Sequence, residues 1–115
     1  MVNTNIEVVR GDTKSWKLSF TNGTSPIDIV GWVIYLTVRE SPYDRDETIK
    51  ISKVITEHIA PTSNGQSSIN LSSTDTDISP KKYLYDIRVK TTDNSIYTVL
   101  QGAFNVIPNV TRRLT

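Results

Sequence analysis

The stretch that decides the fold is residues 82–111, KYLYDIRVKTTDNSIYTVLQGAFNVIPNVT. From residue 83 to residue 90, aromatic and β-branched side chains alternate with a second, more polar set. A period of two of this kind is the mark of a strand that buries one face. The two sets are Tyr83, Tyr85, Ile87 and Val89 on one face, and Leu84, Asp86, Arg88 and Lys90 on the other.

A polar turn and a return strand complete a long hairpin. Residues 91–94, TTDN, predict the turn because Asp and Asn tolerate left-handed backbone and bond to their own main chain. The return strand begins near Ser95 and carries Tyr97, Val99 and later Phe104 and Val106. Gly102 interrupts it and predicts a bulge or bend. A hairpin this long needs a second sheet over its apolar face.

The rest of the chain supplies short strands separated by turn signals. Before the hairpin, strands are predicted at residues 6–9, 15–20, 32–39, 48–53 and 67–71, whereas residues 54–60 fit no single pattern. Both faces of the strand at 32–39 begin apolar, so its first half is expected to be covered on both sides. About seven or eight strands predict an all-β, immunoglobulin-like antiparallel sandwich, with a small β-barrel as the alternative.

Tyr83 and Tyr85 lie early in the penultimate strand. A tyrosine corner occupies that place in an immunoglobulin-like sandwich, and a core tyrosine with its hydroxyl at the rim is the alternative. Sequence alone leaves the two open.

Length and composition bound the possibilities. A chain of 115 residues predicts one domain, residues 1–107, followed by a tail or arm at 108–115. A net charge of +1, without a basic stripe, argues against a nucleic-acid partner. The absence of cysteine excludes disulfides and thiolate metal sites. No apolar stretch suits a membrane helix, and residues 1–12 lack the features of a signal peptide, so synthesis in the cytoplasm is expected.

The candidates for chemistry are few. His58 is the only histidine, so a Ser-His-Asp triad would have to use it, and no glycine-framed serine lies nearby. A surface or structural histidine is the better interpretation. No catalytic residue, cofactor site or metal site is predicted, and the chain is expected not to be an enzyme.

Acidic clusters and one short motif have simpler explanations. Asp44, Asp46 and Glu47 could offer carboxylates to calcium, but the spacing lacks the later glycine and distal glutamate of a calcium loop. A solvated turn is favoured there and at residues 72–77. Residues 10–12 spell Arg-Gly-Asp, which a turn between two strands explains, with Asp12 bonding the following backbone.

Aromatic side chains could form a platform for a carbohydrate. Most of them fall on alternating strand positions and are better assigned to the core. Tyr43, in a polar loop, is the exception. The aromatic residues considered are Trp16, Trp32, Tyr35, Tyr43, Tyr83, Tyr85 and Tyr97.

The segments least needed for the core are the charged loop at 41–47 and the two termini, and these are the predicted interfaces. The tail could also add as a strand to a neighbouring molecule. The predicted interface residues are Tyr43, Asp44, Arg45, Asp46, Arg112 and Arg113.

Four segments together resemble a known family. They are RGDT at 10–13, PIDIVGW at 26–32 leading into TVR at 37–39, YLYDI at 83–87, and TVLQG at 98–102 followed by FNV and VTR. The pattern resembles small structural proteins of tailed bacteriophages, in particular the N-terminal β-domain of the phage baseplate upper protein family. That family carries a polar turn, D-L-T-G-aromatic and a β-branched strand. Residues 28–32, DIVGW, stand in that place here.

The resemblance implies a non-enzymatic virion component. It would be an immunoglobulin-like module of a tail, baseplate or neck, present in several copies of a symmetric assembly, with other virion proteins as partners. Family members continue into further domains, whereas this chain ends at Thr115. The alternatives are therefore a stand-alone adaptor, a fibre-attachment piece, a capsid decoration protein, or a receptor- or carbohydrate-binding module.

Overall fold

Strands dominate the domain. The computed structural model describes residues 2–40 and 49–110, and ten β-strands lie within those ranges. A single turn of 3-10 helix, Thr62–Asn64, precedes the eighth strand. The strands are β1 (Val2–Asn3), β2 (Ile6–Val9), β3 (Lys14–Ser19), β4 (Thr21–Asn22), β5 (Ser25–Pro26), β6 (Val33–Arg39), β7 (Ile49–Ile55), β8 (Gln66–Leu71), β9 (Lys81–Lys90) and β10 (Ile96–Ile107).

These strands form two main layers. The large sheet has the order β1-β10-β9-β6-β7, and β2 continues the β1 edge along β10. The small sheet is the antiparallel pair β3-β8, and β4-β5 forms a separate hairpin. In immunoglobulin lettering, β3 and β8 take the places of strands B and E, and β6, β9 and β10 those of C, F and G. The predicted immunoglobulin-like sandwich is confirmed, because the two sheets stay separate and form no closed barrel.

The core lies under the inner face of β9. All four side chains of the predicted inward set, Tyr83 to Val89, are buried, and those between them are half-buried or exposed. Phe104 of β10 and Leu36 of β6 flank this row within the large sheet, and Ile69 of β8 is buried opposite it in the small sheet. Burying a side chain of this size contributes about 1.5–3 kcal/mol.

The turn between β9 and β10 forms as predicted. Asn94 has left-handed backbone, with φ of 67°, and its N–H donates to the Thr91 carbonyl at 3.0 Å. The Asp93 carboxylate accepts from the Ser95 N–H at 3.1 Å and from the Thr91 hydroxyl. The turn therefore uses side chain-to-backbone bonds to hold the hairpin.

Gly102 has a different role from the one predicted. The irregularity in the β9–β10 ladder lies between Thr98 and Leu100, and the register is regular at Gly102. A Cβ added at Gly102 would lie 2.2 Å from the Thr4 carbonyl oxygen. The Thr4 N–H donates to the Gln101 carbonyl at 2.9 Å. Glycine is needed here because the N-terminal segment runs along β10 and its main chain at Thr4 comes too close for a side chain.

Strands β1, β6 and β7 differ in detail from the sequence-based expectations. The N-terminal strand β1 was not anticipated, and β7 continues to Ile55, through part of the ambiguous stretch. The first half of β6 is not covered on both sides: Ile34 is buried, whereas Val33 and Tyr35 are half-buried. The reason is that no strand in the described ranges packs over that side of the large sheet.

The two tyrosine hydroxyls settle the question of the tyrosine corner. The Tyr83 hydroxyl donates to the Ser79 carbonyl at 2.6 Å, four residues upstream, which is the bond that defines the corner. The Tyr85 hydroxyl donates to the Thr4 carbonyl at 2.6 Å and so ties the N-terminal segment to β9. Burial raises the pKa of both tyrosines, so both hydroxyls remain donors at neutral pH.

We expect Tyr83→Phe to destabilise the domain by about 1 kcal/mol, because the Ser79 carbonyl loses its donor while the ring stays packed. Urea unfolding followed by fluorescence measures the difference. Tyr97→Phe is the matched control, since Tyr97 is 57% exposed and no hydrogen bond involves its hydroxyl in the described residues. Equal costs for the two variants would contradict a role for the corner bond.

Gly102→Ala is expected to cost about 1–3 kcal/mol, because the new methyl group must displace the Thr4 carbonyl. Gly23→Ala serves as the control: it has a positive φ of 68° but no atom within 4 Å of the added Cβ, so about 1 kcal/mol of backbone strain is expected. Thermal unfolding of the two variants would compare them. A Gly102→Ala protein as stable as the wild type would rule out the close approach of Thr4.

Candidate interaction surface

The large sheet has a second face, turned away from the small sheet, which we call the outer face. The period of two on β6, β7, β9 and β10 decides which side chains belong to it. Its central side chains are Val33, Tyr35, Thr37, Arg39, Ser52, Val54, Leu84, Asp86, Arg88, Lys90, Ile96, Thr98 and Gln101.

Apolar side chains on the outer face are in contact with solvent. Val54 is 60% exposed and Ile96 is 52% exposed. Val33, Tyr35 and Leu84 are half-buried, although no strand in the described ranges packs over them. Neighbouring apolar side chains left uncovered on a sheet are typical of a surface that binds another molecule.

Charges of opposite sign lie in the middle of the outer face. Asp86 and Arg88 are two residues apart on β9, so about 6.6 Å separates their positions along the strand. They line a shallow groove of about 490 Å³ together with Thr37, Arg39, Leu84 and Gln101. In the described part of the chain, neither Asp86 nor Arg88 has an ion-pair or hydrogen-bond partner for its side chain. Both are therefore available to a partner molecule.

His58 connects the two layers. Its Nε2 lies 2.7 Å from the Trp32 carbonyl oxygen, and its Nδ1 lies 2.8 Å from the Ser67 hydroxyl. A carbonyl oxygen can only accept, so Nε2 carries a proton, and in the neutral ring Nδ1 accepts from Ser67. Ser67 is fully buried. This geometry makes the histidine a bridge from β8 to the start of β6, the structural role expected for it.

The acidic turn at residues 72–77 is held by local bonds and ion pairs. The Ser72 N–H donates to the Asp75 carboxylate at 2.8 Å, and the Asp75 N–H donates to the Ser72 hydroxyl at 3.2 Å. Lys53 of β7 lies 2.8 Å from the same carboxylate. Lys53, followed by the Ser72 N–H, lowers the pKa of Asp75. No group of three or more potential metal ligands occurs in residues 2–40 and 49–110.

The Arg-Gly-Asp motif forms the predicted turn. Gly11 has a φ of +84°, and the Asp12 N–H donates to the Val9 carbonyl at 3.0 Å. Arg10 is paired with Asp77 at 2.9 Å. Asp12 was expected to bond the following backbone through its side chain, but its main chain makes the bond instead. The Asp12 carbonyl oxygen accepts from the buried Thr76 hydroxyl at 2.7 Å. These bonds tie the turn to residues 72–77.

The aromatic side chains in the described part of the chain form no exposed row. Tyr97 is the single exposed aromatic residue within residues 2–40 and 49–110. Trp16 packs edge-on against Phe104, with ring centroids 6.5 Å apart. Phe20 packs in the same manner against Trp32 at 5.5 Å. The assignment of Tyr83 and Tyr85 to the core is confirmed, whereas that of Tyr97 is wrong, because Tyr97 lies near the start of β10 and is 57% exposed.

The interface residues predicted from the sequence lie outside the described residues. They are Tyr43, Asp44, Arg45 and Asp46, together with Arg112 and Arg113; Glu47 of the candidate calcium loop lies there as well. Sequence reasoning missed the outer face, although the alternation of residues 83–90 contains half of its signal. Among the described residues, no helix has the length and apolar character required to cross a membrane.

Comparisons with known proteins show a shared fold. No family model matches the chain, and no curated protein matches its sequence. CopC from Methylosinus trichosporium OB3b is 14% identical, with a TM-score of 0.51 over 95% of this chain and 89% of CopC. The soluble domain of PmoD from Methylocystis sp. ATCC 49242 (Rockwell) is 12% identical, with a TM-score of 0.51 over 87% of this chain and 76% of PmoD.

A phage protein is also a structural neighbour. The N-terminal domain of ORF48 of phage TP901-1 is 7% identical, with a TM-score of 0.48 over 94% of this chain and 98% of that domain.

We expect the stability that Asp75 contributes to depend on pH. Its pKa is lower in the folded protein than its ordinary value of 3.8, so the contribution is complete above that value. It is lost as the pH falls through the folded-state pKa. Urea unfolding of the wild type and of Asp75→Asn, from pH 7 to pH 2, measures this contribution. The difference in unfolding free energy between the two proteins should be at most about 1 kcal/mol for this exposed pair, and it should disappear in acid.

Asp12→Asn is the control, because the Asp12 side chain makes no ion pair in the described residues. Its difference from the wild type should be small and should change little over the same range. A gap for Asp75→Asn that persists undiminished at pH 2 would contradict the ion-pair origin.

Proposed function

We propose that this chain is a non-enzymatic structural module of a phage virion that assembles through protein–protein contacts. Its partners are other virion proteins, and several copies take part in a symmetric assembly. It is made in the host cytoplasm and resides in the virion, at a tail, baseplate or neck. The phage part of the proposal rests on the sequence resemblance centred on residues 28–32. The assembly part rests on one observation, the uncovered outer face.

The distribution of apolar and charged side chains favours the outer face over the nearest strand edge as the contact. In the described part of the chain, strand β7 is an edge of the large sheet, but it carries Lys50 and Lys53, and its pairing with β6 is irregular between Val38 and Arg39. Lysines and bulges on an edge discourage pairing with another strand. On the outer face, by contrast, Val54 and Ile96 are more than half exposed.

The bonds that His58, Asp75 and Asp77 make within the protein support the proposal that the chain is not an enzyme. Both ring nitrogens of His58 are occupied by structural bonds, and its serine partner is fully buried. Asp75 and Asp77 are paired with Lys53 and Arg10. A general acid or base must reach a substrate, and these groups bond to the protein instead.

The test is whether the chain is part of the particle. Virions of the phage that encodes it would be purified on a density gradient, and the chain would be quantified against the major capsid protein by mass spectrometry. Immunogold electron microscopy with antibodies to the chain would locate it. The lysis enzyme encoded by the same phage, which is released but not packaged, is the control.

We expect a constant number of copies per particle and gold at the tail, baseplate or neck. Gold over the capsid shell would replace the proposal with a decoration role. A chain that stays in the soluble fraction with the lysis enzyme would refute a virion role. Antibodies that block adsorption of intact particles would indicate receptor binding instead.

A further inference from the structure

We infer that the outer face binds the outer face of a second copy of this chain, with the two β9 strands running in opposite directions. In this arrangement, Asp86 of each copy lies against Arg88 of the other. The inference deepens the proposed function, on which it rests, by naming the partner of the outer face.

The charges within one outer face are complementary to each other. Asp86 is half-buried at the centre of the groove, and Arg88 is exposed beside it. Neither has a partner for its side chain in the described part of the chain. A carboxylate and a guanidinium next to each other on one strand are self-complementary, because a two-fold axis can exchange their positions.

The same charges determine the direction of the two-fold axis. If the axis lies between the faces and crosses β9 at right angles near Ile87, residue 86 of each copy lies opposite residue 88 of the other. Sheets that pack face to face lie about 10 Å apart, a distance that facing Asp and Arg side chains can bridge. A parallel arrangement would place Arg88 against Arg88, and like charges in an interface cost affinity. The charges therefore select the antiparallel arrangement.

The same axis also matches the neighbouring rows. The row of Lys90 and Ile96 lies two residues beyond Arg88, and the row of Leu84 and Ala103 lies two residues beyond Asp86. The axis exchanges these rows, so the aliphatic stem of Lys90 in each copy faces Leu84 of the other, whereas Ile96 faces Ala103, which is only 7% exposed. The apolar contact on both sides of the charge pairs is therefore between the Lys90 stem and Leu84.

The area of the outer face determines how strongly two copies can bind each other. Four strands spaced about 4.8 Å apart, over about seven residues of 3.3 Å, give roughly 19 by 23 Å, or about 440 Å² for each copy. Stable complexes bury about 800 Å² on each partner. The pairing is therefore expected to be weak and to depend on protein concentration.

Charge reversals test the pairing directly. Sedimentation velocity, from about 10 to about 500 μM protein, would follow the wild type, Asp86→Arg, Arg88→Asp, the double variant and an equimolar mixture of the two single variants. Lys17→Glu is the control, since it makes the same size of charge change on the exposed side of β3. Thermal unfolding of each variant checks that the fold is kept.

The wild type and Lys17→Glu should shift from monomer to dimer as concentration rises. Each single variant should stay monomeric, because its facing charges have the same sign. The double variant and the mixture should dimerise, since both restore opposite charges across the axis. In the mixture, one chain carries two cations and the other two carboxylates.

A wild type that remains monomeric throughout would overturn the inference, as would single variants that dimerise normally or a mixture that fails to dimerise. These results are independent of the test of the virion role. A chain found in particles but monomeric in solution would retract the pairing alone, and a dimer absent from particles would retract the virion role alone.

Discussion

Burial of the inner row of β9 is the constraint on which the rest of the structure depends. This strand lies between β10 and β6, and its side chains from Tyr83 to Val89 fill the core. A slip of one residue in register would turn Asp86 and Arg88 into that core, where unpaired charges are costly. The register is therefore fixed, and the register also determines which side chains lie on the outer face. The same alternation that buries the tyrosines places the opposite charges together on the outer face, so the core and the candidate interface have one cause.

A small sheet of two strands covers only part of a large sheet, and side-chain bonds help to hold the layers together. His58 links β8 to the main chain before β6, and Lys53 of β7 reaches Asp75 in the turn that follows β8. The exposed ion pair adds little to stability. The histidine matters more, because Ser67 is fully buried and would otherwise lack a partner. The lone histidine of the chain is thus explained by the need to satisfy a buried hydroxyl.

The local part of the fold could be predicted from the sequence, and the long-range part could not. Alternation over residues 83–90 and the Asp-Asn turn predicted the β9–β10 hairpin because strand period and turn chemistry are local. The role of Gly102 depends on Thr4, at the other end of the chain, and no pattern near Gly102 reports that contact. Sequence reasoning missed the outer face for the same reason. That Tyr35 lies beside Arg88 is a fact of register between β6 and β9, which are far apart in sequence. The pattern indicated which side chains face outward without indicating their neighbours.

The shared fold explains why function has to be sought in the outer face. CopC and PmoD share the fold at 14% and 12% identity, so the fold by itself does not specify a function. The outward positions of β9 are less constrained than its inner row, which fills the core. A weak contact at those positions is still sufficient in an assembly, because neighbours held in a particle meet at a high effective concentration. Weakness also has an advantage before assembly, since free chains at low concentration then remain separate. A small face with opposite charges at its centre would therefore suit the proposed assembly, in which other contacts bring the copies together.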